Sequence, residues 1–268
     1  MGGALINSNQ GVAEVPMAFT VVASAPGTLP KRVIVVDTGF EGGRSMTGRL
    51  FENVEPVATV LAKLGYATAD VDTVILTHLH FDHAGNFDVF PNAQIIVQRL
   101  EFDSWKDVIA TMDDTSVGKA SWKLSSIDVA LLERFDAAVA AGRITLLDGD
   151  AEILPSVFCR LARESHTFGS QWVEIRTPDG PYVIAGDCIY WYVNIERMWP
   201  PGYVQGNTWN LMRMYERVRE VVGVDGIDRI VPGHDMKVYD RHPSWIDGAN
   251  PVAEVHLAAG ERSRKPIQ

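Results

Sequence analysis

Short apolar runs separated by turn formers make up most of this chain, and their period switches between that of strands and that of helices. Val15 to Ser24 and Arg32 to Val36 are rich in β-branched and aromatic residues and flank the turn cluster from Pro26-Gly27 to Pro30, so both are predicted strands. The second run exits through Asp37-Thr38-Gly39. Val57, Leu61 and Leu64 then recur at helical spacing, with Gly65 placed to cap. Val74-Ile75-Leu76 reads as a short buried strand and Ala93 to Val97 as the next. From Ser104 to about Ala141 the pattern turns helical and loses strand signals. This predicts a helical insertion at about 104–141, with Trp105, Met112 and Trp122 available to line a surface. Strands return at Ile144 to Leu147, Val157 to Ala162, Trp172 to Arg176 and Tyr182 to Ala185, the last two joined by the turn Pro178-Asp179-Gly180-Pro181. A helix from about Asn207 to Val222 and a strand at Arg229-Ile230-Val231 complete the pattern. The expectation is one α/β domain over residues 1–268, two β-rich halves with helices outside.

Composition changes this picture little. The 268 residues stay near the ~250–300 at which a single core stops growing. A net charge of -10 argues against a nucleic-acid partner, because phosphate binding needs clustered Lys and Arg. No run of about 18 apolar residues exists, so no membrane span is expected. The opening MGGALINSNQGVAEVP has neither a basic nor an apolar signal region, so no export signal is expected either. Cys159 and Cys188 do not suggest a disulfide framework. They read as small buried apolar residues in a reducing, cytoplasmic compartment.

The chemistry concentrates in Thr77-His78-Leu79-His80-Phe81-Asp82-His83-Ala84-Gly85. His78 and His80 follow a strand two residues apart, so extended geometry sends both side chains to one face. Asp82 and His83 are adjacent and would diverge in a strand, so the chain has to turn there, which Gly85-Asn86 permit. This supplies two imidazoles to one metal and a carboxylate with an imidazole to a second. Further donors of the right kind sit in loops at strand ends: His166, Asp187 and His234. His242 and His256 have no partner pattern and read as surface residues.

The nine-residue stretch resembles the H-x-H-x-D-H signature of the metallo-β-lactamase superfamily, and Asp37-Thr38-Gly39, His166, Asp187 and His234 follow in that family's order. The resemblance implies an αββα sandwich of two mixed sheets with outer helices. It also implies a site for two divalent metal ions, zinc by preference. His78, His80 and His166 would hold one ion, Asp82, His83 and His234 the other, with Asp187 bridging. Asp37 would support a ligand without binding metal.

Phe81, Ala84 and the segment Val97-Gln98-Arg99-Leu100-Glu101 are similar to the N-acyl homoserine lactonase branch, as is Tyr190, three residues beyond Asp187. That branch implies a metal-dependent hydrolase opening a lactone ring, of an acyl homoserine lactone or an aromatic lactone, by attack of a metal-bridging hydroxide. Tyr190 would hydrogen-bond the substrate carbonyl, and Asp82 would carry a proton to the departing alkoxide.

Around His166 the chain reads Arg163-Glu164-Ser165-His166-Thr167-Phe168-Gly169-Ser170, without the prolines and second histidine that the family often has. Trp191, Tyr192, Trp199, Tyr203 and Trp209 crowd the stretch after Asp187, either as packing or as an aromatic wall suited to a ring-bearing substrate. The alternative activity is a glyoxalase-II-like thioesterase or another small-ester hydrolase, although the residues after His234 are too few and too polar for a glutathione-binding helical region. A nuclease is disfavoured by charge, and a metal-bearing sensor without catalysis by the full donor set. The expected partner is a small-molecule lactone or ester, and a homodimer is one arrangement the sequence permits.

Overall fold

The computed structural model of the chain describes residues 14–40, 51–111, 126–202 and 204–265. These pack as two units, one of residues 19–146 and one of residues 147 onward together with the stretch up to 18.

The first unit is built on a five-stranded mixed sheet in the order β1-β2-β3-β4-β5. Its strands are β1 (Thr20–Ala23), β2 (Val33–Val36), β3 (Thr73–Ile75), β4 (Gln94–Gln98) and β5 (Ile144–Leu147). β1 is antiparallel to β2, while β2, β3 and β4 run parallel in register, Val35 beside Val74 and Val74 beside Ile95. β2 and β3 are buried at every position, as expected of parallel strands covered on both faces. Helix α1 (Val57–Lys63) buries Val57 and Leu61 and ends at Gly65 in a left-handed turn (φ 76°).

The single turn α2 (Phe81–Ala84) follows β3, and α3 (Arg99–Ala110) leaves β4 without a loop. α4 (Val129–Ala140) is capped by the Asp128 carboxylate, which accepts from Ala130 N–H. In the stretch expected to be helical from 104 to 141, the structure places the end of α3 and all of α4. Met112 and Trp122 lie outside the described residues.

The second unit carries a mixed sheet in the order β10-β9-β8-β7-β6. Its strands are β6 (Ala151–Leu154), β7 (Val157–Leu161), β8 (Gln171–Thr177), β9 (Gly180–Gly186) and β10 (Ile230–Pro232). All pairs are antiparallel except β10 with β9. α5 (Tyr192–Arg197) follows the β9 exit. α6 (Thr208–Val222) is capped by Asn207, which accepts from Trp209 and Asn210 N–H, and sets Leu211, Met214, Tyr215, Val218 and Val222 into a core with Trp172, Val183 and Ile230. α7 (Val238–Arg241) and the hairpin β11 (Ser244–Asp247) and β12 (Asn250–Ala253) follow.

β6, α5 and the last hairpin have no clear apolar period. Ala151 to Leu154 alternates too briefly to stand out, and Tyr192 to Arg197 mixes charge with aromatics. Among the described residues no helix is long and apolar enough to cross a membrane.

Candidate metal centre

In the first unit the extended segment His78-Leu79-His80 runs on from β3, and His80 then serves as the N-terminal flank of α2, at φ -62°, ψ 151°. The helical turn closes with His83 and Ala84 N–H donating to His80 C=O. This turn answers the divergence expected of Asp82 and His83 in a strand. The His78 ring lies 4.4 Å from that of His80 and 4.2 Å from that of His83. All three histidines are buried, whereas Asp82 keeps 11% of its side chain exposed and places Oδ2 3.7 Å from His83 Nε2.

The loop leaving β2 holds this turn in place. Asp37, at φ 61°, accepts from Thr77 N–H (2.8 Å), Thr77 Oγ1–H (2.9 Å) and His83 Nδ1–H (2.8 Å). Thr38 donates from both its N–H and its hydroxyl to His83 C=O. Gly85 allows the close approach, because a Cβ there would sit 2.5 Å from Phe81 C=O and 2.8 Å from Phe40 Cα.

These bonds also settle which ring nitrogen carries the proton. Facing a carboxylate, His83 Nδ1 is the donor. The Thr77 hydroxyl gives its one proton to Asp37, so towards His78 Nδ1, 3.0 Å away, it accepts. Both imidazoles thereby carry the proton on Nδ1, which makes Nε2 the acceptor nitrogen of each ring.

In the second unit the donors come from three loops. The β7–β8 connection buries Ser165, His166 and Thr167 completely. It lacks the prolines of the family pattern and is instead tied by its own hydroxyls: Ser165 Oγ donates to Ala162 C=O, and Ser170 Oγ accepts from Thr167 N–H. The segment before α6 straps it from outside, with Gln205 N–H donating to His166 C=O and Asn207 N–H to Glu164 C=O. Gly206 fits there because a Cβ would lie 2.2 Å from Ser165 C=O.

Asp187 follows Gly186 (φ 50°) at the end of β9 and is buried between two imidazoles. Its Oδ2 lies 3.2 Å from His166 Nε2 and its Oδ1 2.8 Å from His234 Nε2. His234 Nδ1–H donates to Pro16 C=O at 2.8 Å. With Nδ1 engaged as the donor, Nε2 is the ring nitrogen that faces the Asp187 carboxylate. Imidazole nitrogens and carboxylate oxygens, all buried or nearly so, are the donor set that zinc and similar divalent ions accept.

The Tyr190 ring lies 5.4 Å from that of His166 and 5.0 Å from that of His234, and its carbonyl accepts from His234 N–H. Of the other aromatics, Tyr192 is packed in the core with its hydroxyl donating to Ile230 C=O, so it forms no wall. Trp199 and Trp209 are exposed, and Tyr203 lies outside the described residues.

Cys159 and Cys188 are buried thiols, and burial pushes the Cys159 thiol up to about 12. His256 and His242 are half-buried and not fully at the surface. His256 contacts Asp179 and the Tyr182 ring, and burial pulls His242 below its ordinary value.

Two features had no clear signal in the pattern. Phe40, Phe51 and Phe81 form an aromatic cluster with centroids 4.5–6.1 Å apart, drawn from segments distant in sequence. Glu101 is wholly buried, where a carboxylate at the start of an amphipathic helix suggests solvent.

Residues 28–238 match the family model of the metallo-beta-lactamase superfamily. The chain belongs to that superfamily. It is 28% identical over 181 residues to an N-acyl homoserine lactonase of a Bacillus species, covering 62% of this chain and 63% of the relative. This metallo-β-lactamase chain thus spans under two thirds of the length of that relative. Among solved structures, a variant of Bacillus thuringiensis AiiA with N-decanoyl-L-homoserine bound is 21% identical with a TM-score of 0.56, covering 84% of each chain. AidC, a dizinc quorum-quenching lactonase in complex with a product, is 18% identical with a TM-score of 0.58, covering 86% of this chain and 78% of its own. The two mixed sheets and their helices are the fold of these neighbours.

Proposed function

We propose that the protein is a metal-dependent hydrolase that opens a lactone ring, with an acyl homoserine lactone as the first substrate to test. The observation that carries this reading is the oriented donor set, in which the Nδ1 atoms of His78, His83 and His234 are each bound to an oxygen, making Nε2 the nitrogen each would offer a metal. The 28% identity to a lactonase supports the substrate class.

In this reading His78, His80 and His166 would hold one ion and Asp82, His83 and His234 a second, with Asp187 a candidate ligand to either. Two divalent ions, zinc by preference, supply Lewis acidity and lower the pKa of water towards neutrality. The chain's own groups do the rest. Tyr190, beside His166 and His234, donates its hydroxyl to the carbonyl oxygen as charge develops there. Asp82, the most exposed of the donors, carries a proton to the departing alkoxide. Buried thiols fit a cytoplasmic setting.

The test is proton release by the metal-loaded protein on acyl and aromatic lactones, with linear esters and a glutathione thioester as comparators. Turnover confined to lactones is expected. Faster thioester hydrolysis moves the protein to the glyoxalase-II-like activity, and turnover by metal-free protein overturns the mechanism.

A further inference from the structure

Glu101 is the third residue of α3, wholly buried, and takes no part in the donor set. Burying a carboxylate is unfavourable unless hydrogen bonds compensate. Its Oε1 accepts from Leu79 N–H at 3.1 Å and from the Trp105 indole Nε1–H at 2.8 Å.

Both partners bear on the metal-ligating histidines. Leu79 is the residue between His78 and His80. Trp105, one turn further along α3, sets its ring edge-on to the His80 ring with centroids 5.9 Å apart. Leu76 N–H still donates across the sheet to Ile96 C=O, but past it the chain leaves the ladder and its amides need acceptors from elsewhere. Thr77 N–H finds Asp37 and Leu79 N–H finds Glu101. The two amides that flank His78 are thus held by two buried carboxylates from different parts of the chain.

We propose that Glu101 is a positioning residue for the metal centre. It pins the backbone between His78 and His80 and holds the indole against which His80 rests. A Leu or Ala at this position leaves the Leu79 amide and the Trp105 indole without that acceptor, and the His80 ring gains freedom. Asp37 sets the tautomers of His78 and His83, and Glu101 sets the direction of His80. The inference rests on His78 and His80 being metal ligands, as proposed above.

The experiment compares Glu101→Leu and Glu101→Gln with the wild-type protein. Zinc affinity is read by chelator competition, the visible spectrum of the cobalt-substituted protein reports ligand geometry, and thermal unfolding of the metal-free form reports the fold. Glu101→Leu is expected to weaken zinc binding about 10- to 100-fold and to change the cobalt spectrum, and Glu101→Gln, which keeps an oxygen acceptor, to restore both. Wild-type affinity and spectrum in Glu101→Leu overturn the proposal. If Glu101→Leu fails to fold, Trp105→Phe decides: it keeps an aromatic ring but loses the indole donor. A several-fold loss of zinc affinity is then expected, and unchanged affinity overturns the proposal. A wild-type protein that binds zinc tightly but hydrolyses no lactone overturns the substrate reading alone and leaves the role of Glu101 standing.

Discussion

The Oδ2 atom of Asp37 lies 2.8 Å from Nδ1 of His83, two buried groups 46 residues apart brought together by the parallel pairing of β2 and β3. The same oxygen takes the Thr77 hydroxyl, whose own oxygen accepts from His78. One carboxylate therefore sets the protonation of two imidazoles. Asp37→Ala is expected to lower zinc affinity about 10- to 100-fold, measured by chelator competition. Thr77→Val, which removes the hydroxyl between Asp37 and His78 but keeps the Asp37–His83 bond, is expected to cost less.

Tyr190→Phe removes one hydroxyl and keeps the ring beside His166 and His234. The expected result is a fall of roughly 100-fold in kcat with the bound-metal content unchanged. Metal analysis alongside steady-state kinetics checks it, and an unaltered kcat removes Tyr190 from the chemistry.

Gly233→Ala tests how tightly the two loops of the second unit meet. A Cβ there would lie 2.6 Å from the Asp187 side-chain Oδ1 and 2.9 Å from the backbone carbonyl of Gly186. The substitution is expected to lower stability by about 1–3 kcal/mol and to reduce metal stoichiometry. Thermal unfolding and metal content are the readouts.

Acid sensitivity has an identifiable contributor at Glu174 on β8. Burial raises its carboxyl, but hydrogen bonds from Arg176 and Arg160 outweigh that and leave it below the ordinary carboxylate value. A folded pKa below the unfolded one gives stability that is present above about pH 4.3 and lost as pH falls through the folded value. Glu174→Gln is therefore expected to melt lower than wild type at pH 7, with the gap narrowing below about pH 4. A gap that stays constant with pH contradicts it.

The candidate donors stand out in the sequence because metal chemistry restricts residue type and because His78, His80, Asp82 and His83 sit within six positions. Strands β2, β3, β4 and β9 were legible for a different reason, since strands covered on both faces leave unbroken apolar runs. What holds the donors was harder to see. Thr77 and Glu101 are unremarkable as residue types, and their partners arrive from elsewhere through sheet pairing and helix placement. The aromatic run after Asp187 divides for the same reason: identical chemistry puts Tyr192 in the core and leaves Trp209 at the surface. β6 and the terminal hairpin are held by local backbone pairing and show no strong period.

The bond from His234 Nδ1 to the Pro16 carbonyl spans 218 residues of chain. At ribosomal speeds of about 5–20 residues per second, the carbonyl emerges roughly 10–40 s before the imidazole it orients. Until then the second unit has its early segment without the strand exit it serves. Orientation of this imidazole by its Nδ1 partner is therefore a late event in biosynthesis.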